Sequence, residues 1–184
     1  MRLYSGVRES LPAGIYPLMT SYRHKVFVER LGWQLTTPDG MERDQFDRPD
    51  TVYVVASNEL GDVCGCARLL PTTQPYLLSE VFPDLLNGLS PPSSADVWEL
   101  SRFAALDFSS RSSHGNGFYS SPITKGVLDE SVNIARARGA KRMLTVSPLG
   151  VERLLRRLGF KSHRAGPPKL IDGQPVFACY IELE

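Results

Sequence analysis

Apolar residues fall into short β-branched runs and helical stripes that alternate along the chain. Residues 16–32, YPLMTSYRHKVFVERLG, predict a helix. Leu18, Tyr22, Val26 and Arg30 form its stripe, Met19 and Phe27 lie beside it, and Gly32 is a natural stop. Residues 33–50 are polar, with turn signals at Pro38-Asp39-Gly40 and Pro49. Trp33, Met41 and Phe46 would anchor this segment as an ordered loop. TVYVVAS (51–57) and VCGCARLL (63–70) flank the turn NELGD and predict a hairpin. The Pro- and Ser-rich stretch 71–96 holds a candidate short helix in YLLSEVFPDLLN. A strand over 96–104 and the polar loop DFSSRSSHGNGFYSS follow. Helix 121–139 has Ser121 as cap, Pro122 in its first turn and Gly139 at its end. The chain closes with a strand at 141–147, a helix at 150–160 and a strand at 174–183. Val151, Leu154, Leu155 and Leu158 share one face of that last helix.

This order predicts an α/β fold, a three-layer α/β/α sandwich with a mixed central sheet. A length of 184 residues suits one domain, 1–184, with one core. Acyl-CoA N-acyltransferases of the GNAT type have the same element order, so the expected fold is GNAT-like. Fold alone does not give function.

The strand VWELSRFA (97–104) breaks the apolar pattern with Glu99 and Arg102. Strict alternation would put these on opposite faces, and an unpaired buried charge is costly. Other charges fit a simple core pattern just as poorly. Arg23 lies inside the first helix, Asp44 and Asp47 lie three apart in the polar loop, and Arg68 interrupts a hairpin strand. Three acids (Asp44, Asp47, Glu99) balance three arginines (Arg23, Arg68, Arg102), as expected of a mutually paired cluster in a cleft.

The net charge of +1 hides an asymmetry. Residues 29–62 hold eight acids and three bases, a net −5, while 133–164 hold nine bases and the single acid Glu152, a net +8. A basic face of this kind attracts and orients an anionic partner. Nucleic acid is the rival occupant. The leucines alternating with arginines in 150–160 require that helix to bury one face, and no recognition-helix pair is evident. The opening MRLYSGVRES has no apolar signal region, and no apolar run approaches the ~20 residues of a membrane span. A cytoplasmic protein without a membrane partner is expected. Three cysteines do not suit a disulfide scaffold. Cys64 and Cys66 share a strand face, and the scattered His24, His114 and His163 lack zinc-ligand spacing. The cysteines are read as small packing residues, and no metal is expected.

YRHKVFVERLGW, ERDQFDRPDT, CGCARLLPT and VWELSRFA resemble the acyl-homoserine-lactone synthases, the autoinducer synthases of bacterial quorum sensing. The pattern is Arg23, Phe27, Trp33, Asp44, Asp47, Arg68, Glu99 and Arg102, in order and approximate spacing. It runs from about residue 16 to 160 and is strongest over 22–104. The resemblance implies a GNAT-like fold and an acyl transfer to the α-amine of S-adenosylmethionine. The donor would be acyl carrier protein or, less often, coenzyme A. The product then lactonises and methylthioadenosine leaves. S-adenosylmethionine is a substrate, so no cofactor is implied, and no nucleic-acid partner either. An N-acyltransferase using acyl-CoA is the alternative. RSSHGNG (111–117) is one residue too long for the GNAT pyrophosphate loop, which argues against that alternative.

Acyl transfer to an amine needs a base, an oxyanion site and an exit for the thiol. Glu99, acting through a water, is the candidate base; a structural partner of an arginine is its other reading. Backbone donors around Ser101, Arg102 and Phe103 would meet the oxyanion, provided the strand bulges near Ser101–Arg102. Arg23 and Arg102 could hold a carboxylate. Phe27 and Trp33 could face the adenine or the sulfonium, or simply pack. Asp44 and Asp47 would take the donor's positive charge or lock the loop onto Arg68. Thr145 and Ser147 would hydrogen-bond a 3-oxo group or be plain strand residues. Arg136, Arg138, Arg153, Arg156 and Arg157 are the candidate carrier-protein contacts.

Overall fold

The computed structural model describes residues 1–109 and 121–183. Eight strands form one mixed sheet. They are β1 (Arg2–Val7), β2 (Val52–Ser57), β3 (Val63–Pro71), β4 (Val97–Ala104), β5 (Arg142–Pro148), β6 (Ser162–Arg164), β7 (Lys169–Ile171) and β8 (Gln174–Glu182). Their hydrogen-bonded order is β1-β2-β3-β4-β5-β8-β6, with β7 also on β8. β4 and β5 run parallel, Glu99 opposite Leu144, whereas β1–β2, β5–β8, β6–β8 and β7–β8 are antiparallel. The helices are α1 (Ile15–Arg23), α2 (Leu77–Val81), α3 (Ser121–Ala137) and α4 (Gly150–Arg157). The loop RSSHGNG lies outside the described residues.

The chain packs as two compact units, Met1–Arg68 with Arg102–Ser131, and Leu69–Ser101 with Val132–Glu184. In the first, all six residues of β2 are buried, as expected of a strand covered on both faces. Ile15, Met19, Tyr22, Val26 and Phe27 pack with Tyr53, Val55, Cys66 and Ala104. In the second, Met143 and Leu144 of β5 and Phe177, Ala178 and Ile181 of β8 are buried. α4 packs on β5 and β6 and buries Leu155. Its leucine face is narrower than its sequence implies, since Val151, Leu154 and Leu158 are only half-buried.

The first helix differs from its predicted form. α1 ends at Arg23 and a π-helix continues over His24–Arg30. An i→i+5 turn holds more residues than an α turn, but the buried stripe keeps the ordinary i, i+3, i+4 spacing. It runs through Met19, Tyr22, Arg23, Val26 and Phe27, leaving Leu18 and Arg30 exposed. All three cysteines are buried. Burial pushes the thiols up, to about 11 for Cys64 and Cys179 and about 12 for Cys66. Among the described residues no helix is long and apolar enough to cross a membrane, and no three His, Cys, Asp or Glu side chains form a metal-ligand group.

Gly65 on β3 lies close against α3 within the first unit. A methyl there would stand 2.8 Å from Ile123 Cγ2, 3.1 Å from Val127 Cγ2 and 3.3 Å from the Ala104 carbonyl. Gly65→Ala is therefore expected to lower stability by about 1–3 kcal/mol, the usual cost of overpacking, as read from urea unfolding. An unchanged midpoint would show that this contact has slack.

Candidate active site

Five of the predicted site residues, Arg23, Asp44, Asp47, Arg68 and Arg102, meet in the first compact unit as a buried ion lattice. Arg23, in the last turn of α1, donates through Nη1 to Asp47 Oδ1 at 2.8 Å and through Nη2 to Oδ2 at 3.0 Å. Its Nε donates to Glu42 Oε2 at 2.5 Å. Arg102 donates through Nη2 to Glu42 Oε1 at 3.0 Å and to Asp44 Oδ2 at 2.8 Å. Arg68 Nη1 donates to Asp44 Oδ1 at 2.6 Å and lies 3.4 Å from Asp47 Oδ1. Arg23, Glu42, Arg68 and Arg102 are all buried. Desolvating so many charges is costly, and mutual pairing offsets it only because each guanidinium bridges two carboxylates.

The lattice adds an acid to the predicted set. Glu42 joins Asp44 and Asp47 in it. Periodicity gives no sign of this, because Glu42 is one of five acids in the polar segment 33–50. The Glu42 N–H donates to the Thr20 carbonyl at 3.0 Å, which seats this residue against α1. Asp44 Oδ1 accepts the Phe46 N–H, and Asp47 Oδ2 accepts the Asp44 N–H, each at 2.9 Å. Thr51 donates to the Phe46 carbonyl at 2.7 Å and accepts the Arg48 N–H at 2.9 Å. The buried Phe46 ring lies under Arg68, 5.6 Å from centroid to guanidinium carbon. The loop is ordered as its anchors suggested, through Phe46 more than Trp33.

Two aromatic rings border the lattice. Phe27 and Trp33 stack with centroids 4.8 Å apart at 22°, and the Arg102 guanidinium carbon is 5.7 Å from each ring. Phe27 is buried, whereas Trp33 is 42% exposed. The helix end sets this stack. The Trp33 N–H donates to the Phe27 carbonyl at 2.9 Å and the Gly32 N–H to Val28 at 3.0 Å. Gly32 adopts φ +71°, the left-handed turn that a glycine makes at least cost.

β4 leaves extended geometry at Arg102, where φ is +51°. A side chain in that region is uncommon and needs surrounding structure to hold it. Glu42 and Asp44 grip the guanidinium, and the Cys66 thiol donates to the Arg102 carbonyl at 3.2 Å.

Glu99 belongs to the other unit. Its carboxylate accepts the Leu77 N–H at 3.2 Å and the Leu78 N–H at 2.7 Å, tying β4 to the start of α2. Ser101 is buried on the same strand and Phe103 is half-buried. Thr145 and Ser147 are buried on β5 with hydroxyls 3.2 Å apart. Arg153, Arg156 and Arg157 are exposed on α4. Arg138 lies 5.9 Å from the Trp98 ring, and Arg136 Nε donates to the Leu183 carbonyl.

Burial alone would raise the Asp47 carboxyl; Arg23, and then Arg68, outweigh it and hold it well below the ordinary carboxylate range. Burial alone would lower the Arg23 guanidinium, but Asp47 and Glu42 drive it well up. The sign for stability follows from linkage. A carboxyl depressed in the folded state stabilises fully above its unfolded value of about 4, and that stability is lost as pH falls through the folded value. Stability is therefore expected to drop on acidification below about pH 4. Asp47→Asn should be less stable at neutral pH and show a shallower acid drop in unfolding titrations. Parallel acid profiles would remove Asp47 as a contributor.

The family model described as autoinducer synthase matches residues 15–184. An acyl-homoserine-lactone synthase of Acinetobacter nosocomialis is 54% identical over 183 residues, covering 100% of both chains. The crystal structure of TofI in a ternary complex with an inhibitor and MTA has a TM-score of 0.86 at 47% identity, covering 100% of this chain and 92% of that one. BjaI, a CoA-dependent acyl-homoserine lactone synthase solved with SAM and isopentyl-CoA, has a TM-score of 0.85 at 26% identity, over 99% and 83% of the two chains. The fold is thus the GNAT-like α/β fold of these enzymes. With the lattice and its aromatic border in place, the chain belongs to the autoinducer synthase family, and it is an acyltransferase of the acyl-homoserine-lactone synthase type.

Proposed function

We propose that the enzyme transfers an acyl group from acyl carrier protein to the amine of S-adenosylmethionine, then closes the methionyl part to the lactone and releases methylthioadenosine. The observation that carries this reading is the Phe27–Trp33 stack beside the Arg102 guanidinium, with Trp33 partly open to solvent. A sulfonium is attracted to aromatic faces, and Arg102 is a charge-assisted donor for the methionyl carboxylate. Arg23, whose three side-chain nitrogens all donate to Glu42 and Asp47, orients those acids instead. SAM in BjaI and MTA in TofI support the same substrate here. Lactonisation then needs chiefly orientation: the carboxylate is the nucleophile, the carbon next to the sulfonium is attacked, and methylthioadenosine takes the electron pair. Such positioning is worth up to ~7–11 kcal/mol.

Glu99 serves as the base through a water, its carboxylate oriented by the Leu77 and Leu78 N–H groups. Thr145 and Ser147 supply paired hydroxyls for a polar atom on the acyl chain. Arg153, Arg156 and Arg157 form an exposed cationic face suited to an acidic carrier protein. The reaction is cytoplasmic, where both substrates are found. Incubating purified enzyme with S-adenosylmethionine and acyl carrier protein should yield both lactone and methylthioadenosine by mass spectrometry. Turnover with acyl-CoA alone would replace the carrier protein as donor.

Glu99→Gln is expected to slow turnover by roughly 10²–10⁴ while the protein stays folded. A variant that melts earlier yet turns over normally would leave Glu99 a structural role such as holding the start of α2. Charge reversal of Arg153 and Arg157 should raise KM for the carrier protein and flatten its salt dependence, with KM for S-adenosylmethionine unchanged. Unaltered carrier-protein kinetics would reduce this face to a solvated surface.

A further inference from the structure

Tyr53 lies in β2, a strand whose every residue is buried. Its hydroxyl donates to Asp47 Oδ1 at 3.0 Å. A phenylalanine would pack equally well edge-on against Tyr16, whose ring is 5.5 Å away at 72°. The hydroxyl therefore needs its own explanation, because a buried O–H without a partner is costly. Asp47 supplies it. Asp47 Oδ1 otherwise faces the guanidinium nitrogens Arg23 Nη1 at 2.8 Å and Arg68 Nη1 at 3.4 Å, and Oδ2 faces Arg23 Nη2 and the Asp44 N–H. The phenol is the one neutral side-chain donor in that set. It adds a further donor to the oxygen that Arg23 and Arg68 share.

We propose that Tyr53 is a positioning residue for the S-adenosylmethionine half of the site, setting the rotation of the Asp47 carboxylate and, through Arg23 and Glu42, the placement of Arg102 against Phe27 and Trp33. This rests on the reading of the substrate given above. The path is continuous: Tyr53 to Asp47, Asp47 to Arg23, Arg23 to Glu42, Glu42 to Arg102. Burial, and then Asp47, drive the phenol well up, so it remains a donor at every working pH. Arg8 lies over the Tyr16 ring at 4.6 Å and fixes the partner against which Tyr53 packs.

The test compares Tyr53→Phe with Tyr22→Phe. Tyr22 also loses a buried hydroxyl, one that accepts the Leu106 N–H at 2.9 Å and donates to the Cys64 carbonyl at 3.0 Å, outside the lattice. Both variants should melt somewhat earlier. Tyr53→Phe should raise KM for S-adenosylmethionine about tenfold, the scale of one bond to a charged group, with kcat little changed. Substrate affinity read from Trp33 fluorescence, in a Trp98→Phe background, should weaken in parallel. Tyr22→Phe should leave both unchanged. A Tyr53→Phe enzyme with wild-type KM, or a Tyr22→Phe enzyme with the same rise, overturns the proposal while leaving the substrate reading intact. A wild-type enzyme that neither binds nor uses S-adenosylmethionine overturns that reading, and the proposal with it.

Discussion

Three arginines and three carboxylates sharing a few buried hydrogen bonds set the terms for the first compact unit. Such a cluster is stable only when complete. Removing any member leaves an uncompensated buried charge, so its six positions behave as one constraint. Arginine suits the task better than lysine because a planar fork reaches two carboxylates at once. Arg23 does this between Glu42 and Asp47, and Arg102 between Glu42 and Asp44. The lattice also orders chain that has little regular structure of its own. The segment carrying Glu42, Asp44 and Asp47 lies between α1 and β2, and its geometry comes from these bonds, the Phe46 anchor and the Thr51 turn.

The proposed substrate site draws on that order through Arg102. Its backbone is turned to φ +51° within a strand, and its guanidinium lies against the Phe27–Trp33 stack. The strain is held by side chains gripping the guanidinium and by the Cys66 thiol on the carbonyl. Glu99, three residues earlier, serves the other unit through its bonds to the start of α2. One strand thus carries two charged residues, and each has hydrogen-bond partners within its own unit. The question raised by charges inside VWELSRFA is answered by a local break in strand geometry together with hydrogen-bond partners for each charge.

Much of this was legible in the chain. β-branched runs and helical stripes located β2, β3, β4, β5, β8, α3 and α4, because each buries enough apolar surface to impose its period on the sequence. β1 gave no such signal: its residues are exposed or half-buried, and it is a strand by pairing with β2, Arg2 opposite Ser57 through Val7 opposite Val52. SHR and KLI, the segments of β6 and β7, are too short to show a period. The π-helix was hidden for another reason. Its residues read as an ordinary amphipathic helix, and the buried Met19, Tyr22, Arg23, Val26 and Phe27 keep that spacing, so only backbone bonds such as Leu31 N–H to the Val26 carbonyl show the π turn.

The sequence by itself determined which residue types the site contains. Charges that interrupt apolar runs stand out, and their balance demands pairing. Which carboxylate pairs with which guanidinium was decided only by tertiary structure. Glu42 looked like one more acid in a solvated loop until its N–H met the Thr20 carbonyl and its carboxylate met Arg23 and Arg102. Tyr53 looked like core until its hydroxyl met Asp47. Hydrogen-bond partners far apart in the chain leave no periodic trace, because their distance and direction are set by the packing of α1, β2 and β3 around them and not by local sequence.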